Sequence, residues 1–396
     1  MAKNPADSWH RAGWVIANPE TIIRDGIIHV SNGRIRAVKN GKTIGPDPVL
    51  DHGPGVLIPA MINAHTHLEL GALKGILTHT EGFESWVRHL IKARDELGPE
   101  TLLTGIRAGI DELTDTGCGV VGEIATLGYS KDPFFASNLG GIWFKEHLGN
   151  TLGEISEILD KDNERTSLAG HAPHTTSPDL LAKLKNITTR HNRPFSIHLS
   201  ESNREVEFIQ SGKGPWSDLL RERKIDFSSW PLPARSPVDY LERLHLLDEK
   251  TLAVHLLQAD TQDFEILADR RVSVAVCPRS NQRLHGQLPD LIRLDKTSLN
   301  VCLGTDSLAS CESLSMFDEM AHTAKRFPLL SPETILAMAT TNGARALGLE
   351  SEYGRLVPGH RFSCAYVPLT AARPETVLEK IVAAQLGGKV KMLNDE

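Results

Sequence analysis

Apolar residues in the middle of the chain come in short unbroken runs, each followed by a polar or helix-patterned stretch. Eight such runs are GVLIPAMINAH (55–65), GVVGEIAT (119–126), GGIWFKEHLG (140–149), SLAGHAPHT (167–175), PFSIHLSE (194–201), TLAVHLL (251–257), VSVAVCPRSN (272–281) and LNVCLGTDS (299–307). Continuous rather than alternating hydrophobicity suits strands buried on both faces, as in a parallel sheet covered by helices. Between the runs, FESWVRHLIKARDEL (83–97) carries apolar residues at helical spacing, and SPDLLAKLKNITTRH (177–191) opens on Ser-Pro, a good helix start. Eight strand-then-helix units over roughly 250 residues predict an α/β fold, a TIM-like (β/α)8 barrel. The competing doubly wound sheet lacks its mark, since no Gly-x-Gly-x-x-Gly turn follows an early run.

The two ends are patterned differently. TIIRDGIIHVSNGRIRAVKNG (21–41) alternates and turns at SNGR, a hairpin signal, while YGRLVPGHRFSCAYVPL (353–369) reads as short strands punctuated by Pro-Gly. The expectation is a small β-sandwich domain built from 1–54 and 350–396, beside a barrel domain over 55–349. The 212–250 connection, which contains SSWPLPARSPVDYLERLHLL, is long for a compact domain and is the expected lid.

Composition narrows the class of ligand. A hydrophobic fraction of 40% and a charged fraction of 23% are those of a soluble globular protein. No run reaches the length of about 18 apolar residues that a membrane span needs, and MAKNPADSWHRAGW has no apolar signal core. The five scattered cysteines, without Cys-x-x-Cys, read as reduced residues of a cytoplasmic protein. A net charge of −7 without a basic cluster argues against nucleic acid or a membrane as partner, and leaves a small molecule. A homodimer is left open.

In a (β/α)8 barrel, reactive groups sit at the C-terminal ends of the strands. Here the first run ends in His65 and His67, the fourth in His171 and His174, the fifth in His198 and Glu201, the sixth in His255. The seventh ends in Arg279, Ser280 and Asn281, and the eighth in Asp306. Histidine is neither a strong strand former nor a common core residue, so its recurrence at one end of successive runs points to a metal site. His65 and His67, at i and i+2, point the same way in a strand. Three imidazoles and a carboxylate suit Zn²⁺ or Fe²⁺ with a position left for water, and His65, His67, His198 and Asp306 are the natural set. A second metal would need a bridging ligand such as a lysine late in the fourth run. SLAGHAPHT has none, and Lys145 on the third run reads as a surface or substrate contact. One divalent ion per chain is expected, Zn²⁺ ahead of Fe²⁺.

NAHTHLEL, HLSE, the lone His255 and LGTDSLAS together resemble the amidohydrolase superfamily, and within it the cytosine deaminase and chlorohydrolase branch. The resemblance covers nearly the whole chain, including DGIIHVSNGRI and GRLVPGHRF. NAHTHLEL with GFESWV, APHTTSP, HLSESNREVEFI and CPRSN is most similar to 6-amino-6-deoxyfutalosine deaminases of menaquinone biosynthesis. These are related to deaminases of methylthioadenosine and S-adenosylhomocysteine.

The resemblance implies a metal-dependent deaminase of a 6-aminopurine nucleoside, turning 6-amino-6-deoxyfutalosine into futalosine and ammonia. It implies that Asp306 both ligates the metal and accepts the proton of the attacking water, and that Glu201 protonates the ring nitrogen and then the leaving amine. His255 would bond the attacking hydroxide. The plainer readings are Glu201 as the cap of a helix starting near Ser202 and His255 as a packed strand end. For substrate, His174 would face sugar or base, and Glu146 either ribose hydroxyls or Lys145. Arg279 would hold a carboxylate or a structural salt bridge. His171 and Ser280 are expected to support the ligands, and Glu69 to brace a loop. The alternatives are a methylthioadenosine or S-adenosylhomocysteine deaminase, a chlorohydrolase, a guanine or cytosine deaminase, and a non-enzymatic barrel.

Overall fold

A computed structural model describes residues 7–41, 49–77, 82–151 and 164–394. Residues 1–6, part of the polar N-terminal stretch, lie outside the described residues. Eight strands run side by side in chain order: β1 (Met61–Thr66), β2 (Cys118–Ala125), β3 (Gly140–His147), β4 (Thr166–Gly170), β5 (Phe195–Leu199), β6 (Thr251–His255), β7 (Ser273–Val276) and β8 (Asn300–Leu303). Each is parallel to its neighbours. The ring closes just past β8, where Thr66 bridges Asp306 and the His65 carbonyl accepts the N–H groups of Thr305 and Asp306, both at 3.1 Å. This is the expected (β/α)8 barrel.

Burial explains the unbroken runs. Every residue of β2 is buried, because one face meets the barrel interior and the other the surrounding helices. Ile62, Val120, Ile142, Phe144, Leu252 and Val254 share an inner cluster, floored by Ala344 and Leu347 at the helix Thr341–Ala346. Met61, Val121, Trp143, Ile197 and Val274 belong to the outer cluster with the helices. The helix Pro178–Arg190 begins as its sequence foretells, with the Ser177 hydroxyl accepting the Leu180 N–H at 3.3 Å and Pro178 in its first turn.

The chain ends form one seven-stranded sheet, in the order Lys391–Asn394, Ser363–Val367, Val56–Pro59, Ser8–Asn18, Thr21–Ser31 and Arg34–Asn40, with Val49–Asp51 also paired to Ser8–Asn18. Trp14, Ile16, Val56, Ile58, Ala365 and Val367 turn one face to the barrel's outer core. Val15, Leu57 and Cys364 turn the other to a core of its own. The run 55–65 is therefore two strands: Val56–Pro59 lies in this sheet and Met61–Thr66 in the barrel, so the switch falls at Ala60 rather than at 54. Both halves are wholly buried, which is why hydropathy reads straight through the corner. The 212–250 connection contains the helices Pro215–Glu222 and Pro237–Arg243. All five cysteines are free and buried. Among the described residues no helix is long and apolar enough to cross a membrane.

Candidate functional site

The strand ends named by the sequence converge. The ring of His65 lies 4.9 Å, centroid to centroid, from those of His67 and His198, and 5.9 Å from that of His255. His67 Nε2 stands 3.3 Å from His198 Nε2 and 3.7 Å from Asp306 Oδ1. All five residues are buried. Two features of the backbone aim them. By strict alternation after Leu252 and Val254, His255 would point out of the barrel, but a φ of +80° re-aims it. Asp306, three residues beyond β8, has a φ of +60°. Left-handed backbone at non-glycine residues costs of order 1–3 kcal/mol and gathers at functional sites.

The donor set fits a divalent cation. His65 has neither ring nitrogen hydrogen-bonded, although the side chain is fully buried. Burial, reinforced by the neighbouring histidines, holds its pKa well below the usual range, so the ring is neutral as a ligand must be. His198 Nδ1 donates to the His171 carbonyl at 2.8 Å, which leaves Nε2 bare and facing His67. Two nitrogens on one tetrahedral zinc, each about 2.1 Å from it, stand about 3.4 Å apart, close to the separation found here. Asp306 Oδ2 accepts the hydroxyls of Ser280 at 2.6 Å and Ser310 at 2.8 Å, so Oδ1 is the oxygen turned to His67.

His255 has a different character. Its Nδ1 lies 2.9 Å from the amide nitrogen of Asn281, which can only donate. Burial lowers the pKa of the ring although Glu201 pulls the other way, and its Nε2 faces Glu201 Oε1 at 3.7 Å. Glu201 is buried, and its Oε1 also meets His285 Nε2 at 3.1 Å. Burial raises the pKa of this carboxyl, but His255 and the His285 hydrogen bond outweigh it and hold it far below the usual range. Glu201 does not cap the helix that follows; Ser202 does, accepting the Glu205 N–H at 3.2 Å. The Glu205 carboxylate in turn accepts the backbone N–H of Ser200 and Glu201, at 3.0 and 2.7 Å, and so fixes the turn that carries Glu201.

Other expectations divide. Glu146 is buried, with Oε2 accepting the Thr126 hydroxyl at 2.6 Å and Oε1 free of hydrogen bonds, 3.8 Å from His198 Nδ1. Burial opposes its ionisation, yet His171, His67 and His198 lower it to about 2. Lys145 donates to the Thr126 carbonyl at 2.5 Å and not to Glu146. His174 borders the cavity and packs on Trp216, ring centroids 4.4 Å apart. Glu69 accepts the N–H groups of Leu127, Gly128 and Ser130 at 2.7, 2.6 and 3.3 Å, bracing the loop after β2. Of the two readings of Arg279, the structure has the structural salt bridge and not the contact with the cavity. PRSN belongs to the helix Pro278–His285 and not to a strand, and this turns Arg279 away from the cavity. Its guanidinium meets Ser313 at 3.1 Å and Glu319 at 3.8 Å instead.

The cavity over these groups is lined at its floor by His67, His198, Glu201, His255 and Asp306. It continues between the helices Phe83–Glu96 and Pro215–Glu222 into an apolar lobe of Phe83, Trp86, Val87, Leu90, Trp216 and Leu220, with Arg94 and Arg223 on its border. Sequence reasoning missed His285, Asn281's task and Ser310. Helical spacing could have found Asn281 and His285, four apart on one helix face, whereas Ser310 lies in the turn after Asp306 and had no such signal.

A family model described as "Amidohydrolase family" matches residues 56–393. The chain is 31% identical over 368 residues to a 5-methylthioadenosine/S-adenosylhomocysteine deaminase of Syntrophobacter fumaroxidans, covering 84% of this chain and 78% of the relative. It is 27% identical over 324 residues to an aminodeoxyfutalosine deaminase of Deinococcus radiodurans, covering 76% of each. Among solved structures, the Helicobacter pylori aminofutalosine deaminase in complex with methylthio-coformycin superposes with a TM-score of 0.85 at 22% identity, over 98% of both chains.

Proposed function

The chain belongs to the amidohydrolase family, and from that premise we propose that it is a hydrolytic deaminase of 6-aminopurine nucleosides, with 6-amino-6-deoxyfutalosine its preferred substrate. The observation that carries the reading is the cavity, which sets Glu201, His255 and Asp306 beneath one end of a lobe lined by Phe83, Trp86 and Trp216. A purine over the carboxylates and a flat apolar appendage in the lobe would fill it. Arg94 and Arg223, rather than Arg279, are the cations that border the lobe and would face a benzoate.

His65, His67, His198 and Asp306 would hold one divalent ion, Zn²⁺ ahead of Fe²⁺, and such an ion supplies a water acidified towards a pKa of about 7. Asp306 would hold that ion through Oδ1 and serve as the acceptor for the water's proton, with Oδ2 kept in place by Ser280 and Ser310. His255, with its proton on Nε2, donates to the attacking oxygen and orients it. Glu201, ionised at rest, takes up the proton that Asp306 removes from the water and delivers it to the ring nitrogen. The second proton of the water, released as the new C–O bond becomes the carbonyl, passes by the same route to the amine. The C–N bond then breaks with ammonia as the leaving group, and both carboxylates end unprotonated. Glu146 Oε1, ionised and free of hydrogen bonds, takes ribose hydroxyls, and His174 faces the base or sugar.

A second reading, deamination of methylthioadenosine or S-adenosylhomocysteine, is favoured by the 31% identity to the S. fumaroxidans protein. Ammonia release from 6-amino-6-deoxyfutalosine, methylthioadenosine, S-adenosylhomocysteine, 5′-deoxyadenosine, guanine, cytosine and a chlorotriazine separates them. Activity on free bases or triazines and on no nucleoside would overturn the proposal.

A further inference from the structure

We propose that His285 is the positioning residue for Glu201, and that the apolar lobe acts on the carboxylate through it. The inference rests on the deaminase reading, in which Glu201 moves the protons. Both contacts of the Glu201 head group fall on one oxygen: Oε1 is 3.1 Å from His285 Nε2 and 3.7 Å from His255 Nε2. Oε2 is left for the cavity that Glu201 lines. A carboxylate held by one oxygen keeps the other at a fixed height over the substrate ring, which is what repeated proton transfer at one atom requires.

His285 does not border the cavity itself. It is the last residue of the helix Pro278–His285, four residues after the Asn281 that orients His255, so one helix face sets both groups. Its other neighbour is Phe83, whose ring centroid lies 4.5 Å from that of His285 and 6.2 Å from that of Trp216. Phe83 and Trp216 are walls of the lobe. An appendage that packs on Phe83 therefore presses on the back of His285 and narrows the freedom of the Glu201 carboxylate. Binding energy from a part of the substrate remote from the reacting carbon is in this way turned into rate.

The test compares zinc-loaded parent, His285→Gln and His285→Leu. Glutamine places an amide N–H where the imidazole Nε2 is; leucine fills the space without a donor. In ammonia-release kinetics, His285→Leu should lose about 10- to 100-fold in kcat with KM within about twofold of the parent, and His285→Gln should recover most of that loss. The loss should be larger on a nucleoside with a bulky 5′ group than on 5′-deoxyadenosine. A leucine variant with parental kcat, or a glutamine variant as slow as the leucine one, overturns the proposal. Should His285→Leu fail to fold, His285→Asn, whose amide stops short of Glu201, takes its place with the same expectation. Crystal structures of the variants judge the proposal independently of turnover: Glu201 keeps its parental conformer with glutamine and turns away with leucine or asparagine. An unmoved Glu201 in those variants counts against it. A parent that deaminates no nucleoside refutes the deaminase reading, while the crystallographic comparison still decides the role of His285.

Discussion

Ser280 donates its hydroxyl to Oδ2 of Asp306 at 2.6 Å, and Ser310 reaches the same oxygen at 2.8 Å. One carboxylate oxygen is thereby spent on the protein and the other kept for chemistry. Ser280→Ala should weaken metal affinity by about 10- to 100-fold in chelator competition and slow turnover in step. A variant with parental affinity and rate would show that Asp306 orients itself without this bond.

Glu201→Gln keeps the shape of the side chain and removes its proton chemistry. Turnover should fall by about 10²- to 10⁴-fold, while metal content measured by atomic emission stays at the parental level. Near-normal rates would remove Glu201 from the mechanism.

Arg94→Met and Arg223→Met test the border of the lobe. KM for a nucleoside with an appended carboxylate should rise about 10-fold or more, with KM for 5′-deoxyadenosine unchanged. Equal effects on both substrates would mean that the arginines support the lobe and do not read charge.

Gly304 sits against β1, and a Cβ there would lie 2.8 Å from the His65 carbonyl oxygen and 2.9 Å from its Cβ. Neither neighbour can withdraw without moving a proposed ligand. Gly304→Ala should cost about 1–3 kcal/mol in denaturant unfolding and lower metal content before it lowers helicity. Full metal content in the variant would sink this account.

Glu319 gives a pH signature through a buried carboxyl that the proposed reaction does not use. Burial pushes its carboxyl from 4.5 up to about 8, although the Arg279 N–H at 2.8 Å and the Arg279 guanidinium pull the other way. The folded protein therefore holds this proton more tightly than the unfolded chain does. Its contribution to stability is complete below pH 4.5 and is lost as the pH rises through about 8. Against the parent, Glu319→Gln should flatten the fall of Tm across that window; parallel Tm profiles would contradict the assignment.

Much of the fold was legible because both-face burial writes itself as unbroken hydropathy, and the same feature hid the corner at Ala60. The histidines stood out because imidazole is a poor strand and core residue. Other features had no sequence signal. The re-aiming of His255 depends on a left-handed φ that strict alternation does not foresee. The choice between the two readings of Arg279 needed the structure, because PRSN was read as strand; on a helix, neighbouring residues face different ways, so Ser280 meets Asp306 while Arg279 meets Glu319. The apolar lobe joins Phe83 to Trp216, two distant helices that only the closed ring of strands brings together.

The seam of the barrel lies at Thr66 and Asp306, and the peptide groups that stitch it belong to the residues that face the reacting atoms. Closing the cylinder and assembling the centre are consequently one event. An opened barrel has no Asp306 beside His67. The proposed reaction therefore requires a shut ring.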